Sequence, residues 1–503
     1  MFGAASACSL AGFAACSSEQ GDGERTEKQT ALASATTAPS VTAAGGFLGA
    51  TCGYSYALDL TGPNDTTENT PLYNPPSGIA FDTWGTWVEQ AQQAGLDFLA
   101  PNLRGSTPHT NVTPTAIADL VTIINNRGLT DSLKIGAFDD NAGSWQWQWN
   151  AANGTSNVPF DISNSANWKY IYELNYKLFF QTVPDANRFK INSRPVIIVW
   201  TGNTATVGNE QGNFSRAMTY VRQKCQADFG FDPYIIVNKE TLVNDTTVSS
   251  VIDATHGWSG GGTWTLSTFN DTKIGVAFPG LFHPSDSNYR DSNHGATYET
   301  ALTNTVGAGA LLTLVEGFTD ALEDAAVFRV RNLSTSGAPL SYAQTLYDFP
   351  NQRLGITRKH SRVPFSGNLK FEAEGCDNFG GAAGGNGKTN YYRNGNIAIA
   401  PTDDTNGGHH VGWMQSGEWF EWLNVPLNGT PHFLVRIATP NAARTAHLVI
   451  DGVVQASKTL PNTGSWSTWQ TFDFGAYGSF ANSYHTVRIV FDNGGVNFNW
   501  WQL

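Results

Sequence analysis

The sequence predicts an α/β protein in two parts: a (β/α)8 TIM-type barrel over residues 47–364, followed by an all-β jelly-roll sandwich over residues 368–503. Apolar, strand-like runs alternate with amphipathic helical stretches in the first part, which is the pattern of repeated βα units and a parallel sheet. Helical periodicity disappears near residue 368, and short alternating strands separated by Gly, Asn and Asp turns take over. A chain of 503 residues is also too long for one ordinary core.

The barrel prediction depends on the number of apolar runs in the first part. Eight such runs are present, and eight strands each followed by a helix is the number that a (β/α)8 barrel requires. They are FLGATCGYSY (47–56), LDFLAPNL (96–103), KIGAFDDN (134–141), RPVIIVW (194–200), PYIIVNKE (233–240), IDATHGW (252–258), KIGVAFPGL (273–281) and LLTLVEGF (311–318). An open, doubly wound sheet is the alternative, but no GxGxxG follows a predicted strand and no GxxxxGK[ST] occurs.

Helices are predicted between these runs by apolar spacing close to 3.6 residues. Three are well marked, at residues 81–95, 115–128 and 215–230, and the last two end in Gly128 and Gly230. Glycine is favoured directly after a helix because it adopts the left-handed conformation without strain.

The composition excludes one class of partner and favours another. Lys and Arg number 29 against 42 Asp and Glu, a net charge of −13, and only 14% of residues are charged. An acidic chain of this kind is not suited to a phosphate backbone, so we expect no nucleic acid partner. The 16 Trp residues suit stacking on neutral sugars, or equally a Trp-rich all-β core.

The N-terminus predicts export. Residues 1–20 contain a short apolar stretch that ends FAAC at Cys16, which resembles a bacterial lipoprotein signal, although the basic residues that usually begin such a signal are missing. A lipid on Cys16 would attach the protein to a membrane, and residues 21–46, rich in Ser, Thr, Ala and Gly, would form a flexible linker. Beyond this segment Cys52, Cys225 and Cys376 remain, an odd number without CxxC spacing, which predicts neither a disulfide scaffold nor a zinc site.

Carboxylates at the ends of the predicted strands are the candidate catalytic residues. In a barrel the active site lies at the carboxyl ends of the strands. Glu316 ends the eighth run just before Gly317, which lets the chain leave the strand, and Glu240 ends the fifth. Two carboxyl groups in different environments can cleave a glycosidic bond by acid and base catalysis. Asp139 and Asp140 end the third run, and alternation favours Asp139 as the inward, catalytic one, with Asp140 contacting substrate.

Other side chains at the same predicted rim are candidates for substrate binding. Trp145 and Trp147 follow the third run on what we predict to be a loop, where their rings would either stack on sugars or pack the loop. His256 and Trp258 end the sixth run, and His283 follows the seventh. We predict all five as substrate-binding residues.

Residues 47–364 resemble a family of secreted bacterial and fungal proteins grouped with barrel glycoside hydrolases. The phrases KIGAFDDN, VNKE, THGW and LVEGFTDALEDAAVFRVRN carry this resemblance. It implies a barrel and polysaccharide hydrolysis, but it does not imply a particular catalytic pair. The fourth run ends in TrpThrGlyAsn, without the acid that many retaining barrel glycosidases carry there.

The last part of the chain resembles a family 6-type carbohydrate-binding module. The motifs are FEAEG (371–375), VGWMQSGEWFEW, NTGSWSTWQTF and GGVNFNWWQL. The resemblance implies a structural calcium ion held by Glu372 and Glu374, and a sugar cleft formed by Trp413, Trp466 and Asn497. Core packing is the expectation for the other tryptophans of the module, which are Trp419, Trp422, Trp469, Trp500 and Trp501.

Together these observations predict a secreted glycoside hydrolase that a carbohydrate-binding module keeps on its polysaccharide. We expect a monomer and no cofactor for catalysis. The rival hypothesis is a surface glycan-binding protein without catalytic activity, and a lyase or transferase on the same fold stays open because fold does not determine chemistry. The sequence does not assign the roles of acid and base between Glu316 and Glu240.

Overall fold

The computed structural model describes residues 46–53, 70–73, 80–103, 114–201, 206–258, 262–281, 290–320, 325–331, 347–365, 368–381 and 397–503. The predicted signal segment, Cys16 and the predicted linker therefore lie outside the described residues, apart from Gly46. Within the described residues, no helix is both long and apolar enough to cross a membrane.

The N-terminal part is mixed α/β, and each of the eight predicted runs contains a strand that pairs in parallel with a neighbour. The elements are β1 (Phe47–Cys52), β2 (Thr70–Pro71), α1 (Ala80–Gln93), β3 (Phe98–Pro101), α2 (Pro114–Asn126), β4 (Lys134–Ile135), β5 (Ala137–Asp140), α3 (Trp147–Asn153), β6 (Phe160–Asp161), α4 (Lys177–Thr182), β7 (Lys190–Ile191), β8 (Arg194–Trp200), β9 (Val207–Gly208), α5 (Phe214–Phe229), β10 (Tyr234–Asn238), α6 (Thr241–Asn244), β11 (Ala254–His256), β12 (Trp264–Phe269), β13 (Thr272–Ala277), α7 (Ala296–Thr305), β14 (Leu312–Val315), β15 (Val330–Arg331) and α8 (Gln352–His360). The three well-marked helices are confirmed as α1, α2 and α5, and Gly230 ends α5 with a left-handed φ of 77°.

These strands form two main sheets. One has the order β12-β13-β14-β1-β3-β4 and the other β11-β10-β8-β5. A parallel bridge between Asn102 and Phe138 joins the end of β3 to β5. Among the described residues, no strand ladder connects β11 to β13, so the pairing is not continuous around the two sheets.

Strand β12 was not predicted from the sequence. It pairs antiparallel with β13 through a tight turn in which Asn270 and Asp271 both have positive φ, 45° and 64°. Positive φ at both central residues is the geometry of hairpin turns that match the twist of the strands. Because β12 reads WTLSTF and is partly exposed, it lacks the continuous apolar run of a buried strand.

The two sheets share one apolar cluster on what we call the inner face. Its members include Phe98, Ala100, Phe138, Val196, Ile198, Ile236, Ala254, Ile274, Val276, Leu312 and Leu314. The alternate strand residues, such as Ala137 and Val199, belong to a second, larger cluster with residues of the helices. Since strand side chains alternate between faces, the residue at each strand end can be assigned to the inner or the helix-facing side.

The C-terminal part is an all-β sandwich, as predicted. Its strands are β16 (Lys370–Glu372), β17 (Asn378–Gly380), β18 (Ile399–Pro401), β19 (His409–Val411), β20 (Glu418–Gly429), β21 (His432–Ala438), β22 (Thr445–Ile450), β23 (Val453–Val454), β24 (Lys458–Thr459), β25 (Gln470–Ala476), β26 (Phe480–Phe491) and β27 (Asn497–Gln502). The two sheets have the orders β18-β19-β27-β21-β25 and β17-β20-β26-β22-β23, with β16 on β27 and β24 on β22. Their facing side chains, including Trp422 and Trp501, form the core.

A buried polar network joins the α/β part to the sandwich. Arg329, 1% exposed, donates to both carboxylate oxygens of Glu89 on α1 at 3.1 and 3.3 Å and to Asn351 Oδ1 at 2.7 Å. Asn351 in turn donates through Nδ2 to Asp377 Oδ1 at 2.7 Å and to the carbonyl of Gly375 at 2.8 Å. A side chain at position 375 is excluded, because a Cβ there would lie 2.5 Å from Arg329 Cζ. The two parts therefore meet through a packed interface.

Candidate carbohydrate sites

Polar and aromatic side chains gather at the carboxyl ends of the strands on the inner face, a region that we call the inner edge. Alternation from the inner cluster assigns to it Thr51, Asp140, Trp200, Asn238, His256 and Glu316. They belong to β1, β5, β8, β10 and β11 and to the residue after β14. Thr51 and Trp200 were not singled out from the sequence, although each stands at or near the end of a predicted strand where alternation could have found it.

Glu316 lies where the sequence predicted, directly after β14 and half-buried. Thr51 Oγ1 donates to Glu316 Oε2 at 2.9 Å, and the same hydroxyl accepts from the N–H of Gly317 at 2.9 Å. Gly317 has a φ of 78°, and a Cβ there would lie 2.8 Å from Asp320 Cβ, so this turn requires glycine. Thr51 thereby fixes both the carboxylate and the chain reversal beside it.

The prediction that Asp139 is the inward carboxylate is wrong. Asp139 is fully buried on the helix-facing side, where it accepts from Trp145 Nε1 at 2.8 Å and from the hydroxyls of Ser144 and Tyr176. Burial raises the pKa of Asp139 to about 6, against the lowering effect of these three hydrogen bonds. Asp140 is instead the inner residue, beside Trp200 in the strand register. The alternation was misassigned because the small residue Ala137, on the face of Asp139, was taken to point inward, whereas Phe138 belongs to the inner cluster and Ala137 to the helix-facing one.

An aromatic patch covers the inner cluster next to Asp140. The ring of Trp258 is stacked on Phe138 at 5.4 Å between centroids and is tilted against Trp200 at 6.0 Å. Both tryptophans are partly exposed, so each presents a face to a ligand. This is the placement predicted for Trp258.

His256 lies beneath this patch rather than on its surface. Its ring is 5.8 Å from that of Trp258 and is fully buried. Nε2 donates to the carbonyl oxygen of Val199 at 2.9 Å, because a carbonyl can only accept. Burial lowers the pKa of His256 to about 4, so the imidazole is neutral at neutral pH. The predicted direct contact of His256 with substrate does not agree with its complete burial.

The two tryptophans predicted after β5, Trp145 and Trp147, differ in burial. Trp145 is fully buried, binds Asp139 and packs on Phe160, so the structure contradicts its predicted role as a substrate-binding residue. Trp147 begins α3 and is 50% exposed, which agrees with a surface available to a ligand. The predicted loop is helical here, so the two side chains point in different directions around a helix. His283 lies outside the described residues.

Glu240 lies at the first turn after β10 and is exposed. It occupies the position before α6, and its carbonyl accepts from the N–H groups of Val243 and Asn244 at 2.9 and 3.1 Å. Glu240 follows β10, whereas Glu316 follows β14 of the other sheet. Glu240 therefore lies on the surface, without the half-buried setting of Glu316.

The sandwich presents a second, exposed surface. Trp413 and Trp466 are 43% and 47% exposed, and Asn497 Nδ2 donates to the carbonyl of Trp466 at 3.0 Å. Trp413 has a φ of 53°, and a Cβ on neighbouring Gly412 would lie 3.1 Å from Asn497 Oδ1. The structure thus brings two exposed aromatic faces and an amide to one end of the sandwich, as the resemblance implies.

Core packing holds for only two of the five remaining tryptophans in the sandwich. Trp422 and Trp501 are buried in the core. The other three are partly exposed: Trp419 lies under the Arg488 guanidinium, Trp500 lies under Lys370, and Trp469 donates to Asp403 at 2.7 Å. Alternation along β20 and β27 places Trp419 and Trp500 on outer faces, and Trp469 lies just before β25, so the prediction is wrong for these three.

The two glutamates of the predicted calcium site are differently placed. Glu372 pairs with Lys370 at 2.7 Å. Glu374 is 2% exposed, and its Oε2 has no hydrogen-bond partner among the described residues. Burial, followed by the charge of Glu372, raises the pKa of Glu374 well above its usual range. Across the described parts of the chain, no group of three or more His, Cys, Asp or Glu side chains is placed to hold a metal, and Cys52, Cys225 and Cys376 are buried.

Two family models match the chain. Residues 44–378 match the model described as Domain of unknown function (DUF5010). Residues 393–503 match the model described as Carbohydrate binding module (family 35). The C-terminal sandwich is therefore a carbohydrate-binding module, which implies a polysaccharide ligand.

Several solved structures resemble about a quarter of the chain. The C-terminal family 6 module of LamC from Zobellia galactanivorans is 22% identical and covers 27% of this chain and 96% of its own, with a TM-score of 0.22. The CBM6cm-2 module of Cellvibrio mixtus lichenase 5A, solved with cellotriose, is 24% identical with the same coverages and a TM-score of 0.23. A family 43 arabinoxylan arabinofuranohydrolase from Bacillus subtilis is 24% identical over 26% of each chain, with a TM-score of 0.20. At these TM-scores the likenesses carry no argument about catalysis.

Proposed function

This chain belongs to the family described as Domain of unknown function (DUF5010), and we propose that it is a glycoside hydrolase that its carbohydrate-binding module holds on a polysaccharide. The observation that carries the proposal is Glu316, a half-buried carboxylate that Thr51 orients at the inner edge. A glycan-binding surface alone has no need of a carboxylate fixed in this way.

We take the two sheets of the N-terminal part to form a closed (β/α)8 barrel. Three contacts support closure: the bridge between Asn102 and Phe138, the 2.7 Å hydrogen bond between Thr255 of β11 and Ser267 of β12, and the hydrogen bond from Thr265 to the carbonyl of Gly257. The inner cluster, shared by both sheets, would then fill the barrel. Its carboxyl end would carry the active site.

In this proposal Glu316 works with a second carboxyl group at the same edge. Asp140 is the better placed partner, because it lies on the inner edge beside Trp200, whereas Glu240 is exposed. One carboxyl group protonates the glycosidic oxygen, and the other activates water or attacks the anomeric carbon. Trp258 and Trp200 supply faces on which a sugar ring can stack. Asp139 has no direct part and holds the helix-facing packing of Tyr176 and Trp145.

We also propose that the protein is exported, with a lipid on Cys16, and that Glu372 and Glu374 hold a calcium ion. The buried Oε2 of Glu374, which has no hydrogen-bond partner among the described residues, suits a cation. A cation there would neutralise two adjacent carboxylates, and backbone carbonyls would have to complete its shell. Removal of calcium with a chelator should then lower the melting temperature of the full chain.

The experiment that tests the proposed hydrolysis is product release from a panel of soluble and insoluble polysaccharides. We expect cleavage of at least one of them by the full chain, and a loss of about 100-fold or more in Glu316→Gln. Asp140→Asn and Glu240→Gln identify the partner, since only the true partner should show a comparable loss.

A second candidate function is a surface glycan-binding protein without catalysis. The exposure of Glu240 and the burial of Asp139 favour it, because two of the three predicted catalytic carboxylates then lack a catalytic setting. Binding to a polysaccharide with no release of product from any member of the panel would support this candidate.

A further inference from the structure

A cavity lies between the segment after β8 and the short helix α6. Its volume is about 570 Å³. Among the described residues it is lined by Val207, Gly208, Asn209, Glu210, Gln211, Asn213 and Asn244. Four of these seven residues have amide side chains, and Glu210 has a carboxyl group. Because β8 and β10 pair in parallel, the cavity follows the carboxyl ends of both strands, as the inner edge does.

Glu210 is the unusual member of this lining. It is only 7% exposed, and Oε1 accepts from Asn244 Nδ2 at 3.0 Å, while Oε2 has no hydrogen-bond partner in the described part of the chain. Burial raises the pKa of Glu210 to about 7, and the nearby charge of Asp245 adds to this against the opposing hydrogen bond from Asn244. A carboxyl group of this kind carries a proton for much of the time at neutral pH, so it can donate as well as accept.

The amides around Glu210 are held in place by the chain itself. Asn209 Nδ2 donates to Asp161 Oδ1 at 3.0 Å, and Gln211 Nε2 donates to Thr246 Oγ1 at 3.2 Å. The backbone of Asn244 is also held, because its N–H donates to the carbonyl of Glu240 at 3.1 Å. The cavity is therefore one helical turn away from Glu240.

Amides and a protonated carboxyl group donate and accept hydrogen bonds without a net charge. That combination suits the hydroxyl groups of a neutral sugar, which are themselves both donors and acceptors. An anion would meet the carboxyl group, and an apolar ligand would leave the remaining donor and acceptor positions of this polar lining unused.

From this geometry we propose that the cavity is a binding site for one neutral sugar residue of the polysaccharide, with Glu210 and Asn244 as its main hydrogen-bonding groups. The inference rests on the proposed function for its class of ligand, and it adds a site that neither family description assigns.

The test uses the full chain with Trp413→Ala and Trp466→Ala, so that the sandwich surface does not contribute to sugar binding. This protein is titrated calorimetrically with cellotetraose, xylotetraose, laminaritetraose and mannotetraose. We expect at least one tetrasaccharide to bind, and Asn244→Ala and Glu210→Ala each to weaken it by about fivefold or more. Glu210→Gln, which can still donate and accept, should bind within about twofold of the parent. The matched control is Gln223→Ala, an exposed amide on the outer side of α5, which should change nothing.

Two results would overturn the proposal: no tetrasaccharide binds, or binding is indifferent to both Asn244→Ala and Glu210→Ala. If Glu210→Ala does not fold, as judged by circular dichroism, Asn244→Ala decides alone. Product release by the same proteins separates this inference from the proposed hydrolysis. If cleavage depends on Glu316 but Asn244→Ala does not change binding, the proposed hydrolase function stands and the proposed sugar site is rejected. If binding depends on Asn244 but no polysaccharide is cleaved, the sugar site stands and the hydrolase function is rejected.

Discussion

The inner edge of the N-terminal part and the Trp413 surface of the sandwich are built in opposite ways. The inner edge contains carboxylates, Glu316 and Asp140, above a packed aromatic patch. The sandwich surface consists of two exposed tryptophans and the amide of Asn497, with no carboxylate among the three. Groups that can exchange protons are concentrated at the first, and flat neutral faces at the second. Under the proposed function, catalysis would lie at the inner edge, and retention on the substrate would lie at the sandwich surface.

The largest expected effect on stability concerns the buried network around Arg329, which joins the N-terminal part to the sandwich. Arg329→Met leaves Glu89 buried without its guanidinium, so we expect the free energy of unfolding to fall by about 3–5 kcal/mol. Denaturant unfolding of the full chain measures this. The matched control is Arg362→Met, whose partly exposed pair with Asp97 should contribute less than about 1 kcal/mol. Equal effects of the two substitutions would mean that the two regions are not held together by Arg329.

Buried His256 predicts a pH dependence of stability that arises in the N-terminal part. The pKa of His256 is lowered by burial from 6.5 to about 4, so folding favours the neutral imidazole. This contribution is fully present above pH 6.5 and is lost as the pH falls towards 4, by up to about 3 kcal/mol. Unfolding measured between pH 7 and 4 should show a shallower loss in His256→Asn than in the wild type. Parallel curves for the two proteins would contradict the assignment.

Removal of Trp413 or Trp466 tests whether the sandwich surface retains the protein on its substrate. Trp413→Ala or Trp466→Ala should each weaken retention on an insoluble polysaccharide by about 2 kcal/mol, roughly 30-fold, because each ring loses its stacked area. Cleavage of soluble oligosaccharides should stay unchanged. Trp264→Ala, a tryptophan of similar exposure in the N-terminal part, is the control and should leave retention intact. Loss of soluble cleavage in Trp413→Ala would show that the regions are not divided as described.

The smallest effect concerns the residue that orients Glu316. Thr51→Val removes the hydroxyl that donates to Glu316 and accepts from Gly317, and we expect kcat to fall about tenfold with KM little changed, an effect of about 1.4 kcal/mol. Thr51→Ser keeps the hydroxyl and should restore most of the activity. A change in KM alone would indicate that Thr51 contacts substrate instead of positioning the carboxylate.

Much of the fold could be predicted from the sequence because its signals are local. All eight apolar runs contain parallel strands, and Gly128 and Gly230 have the left-handed conformations expected after a helix. The sandwich strands follow the alternation of the sequence. Strand β12 escaped prediction because its pairing depends on a two-residue turn and on a partner strand, and not on an apolar run.

The candidate site was predictable only in part, because the direction of a side chain is set by its neighbours in space. Glu316 and Trp258 lie where the pattern indicated, but Asp139 and Trp145 face the helices, where Asp139 accepts from both Trp145 and Tyr176. Tyr176 is 37 residues from Asp139 in the sequence. Arg329, which contacts Glu89 across 240 residues, is invisible to any local pattern for the same reason. Glu210 stands ten positions beyond the end of β8, outside the strand ends that sequence reasoning compares.

In the proposed function, the inner edge cleaves the polysaccharide and the sandwich only keeps the protein on it. The most direct measurement is turnover per bound molecule on one insoluble polysaccharide, with the wild type and Glu316→Gln each corrected for the amount of protein retained. We predict equal retention of the two proteins and a turnover at least about 100-fold lower in Glu316→Gln. Equal turnover of both proteins, or retention of the wild type without any turnover, would contradict the claim.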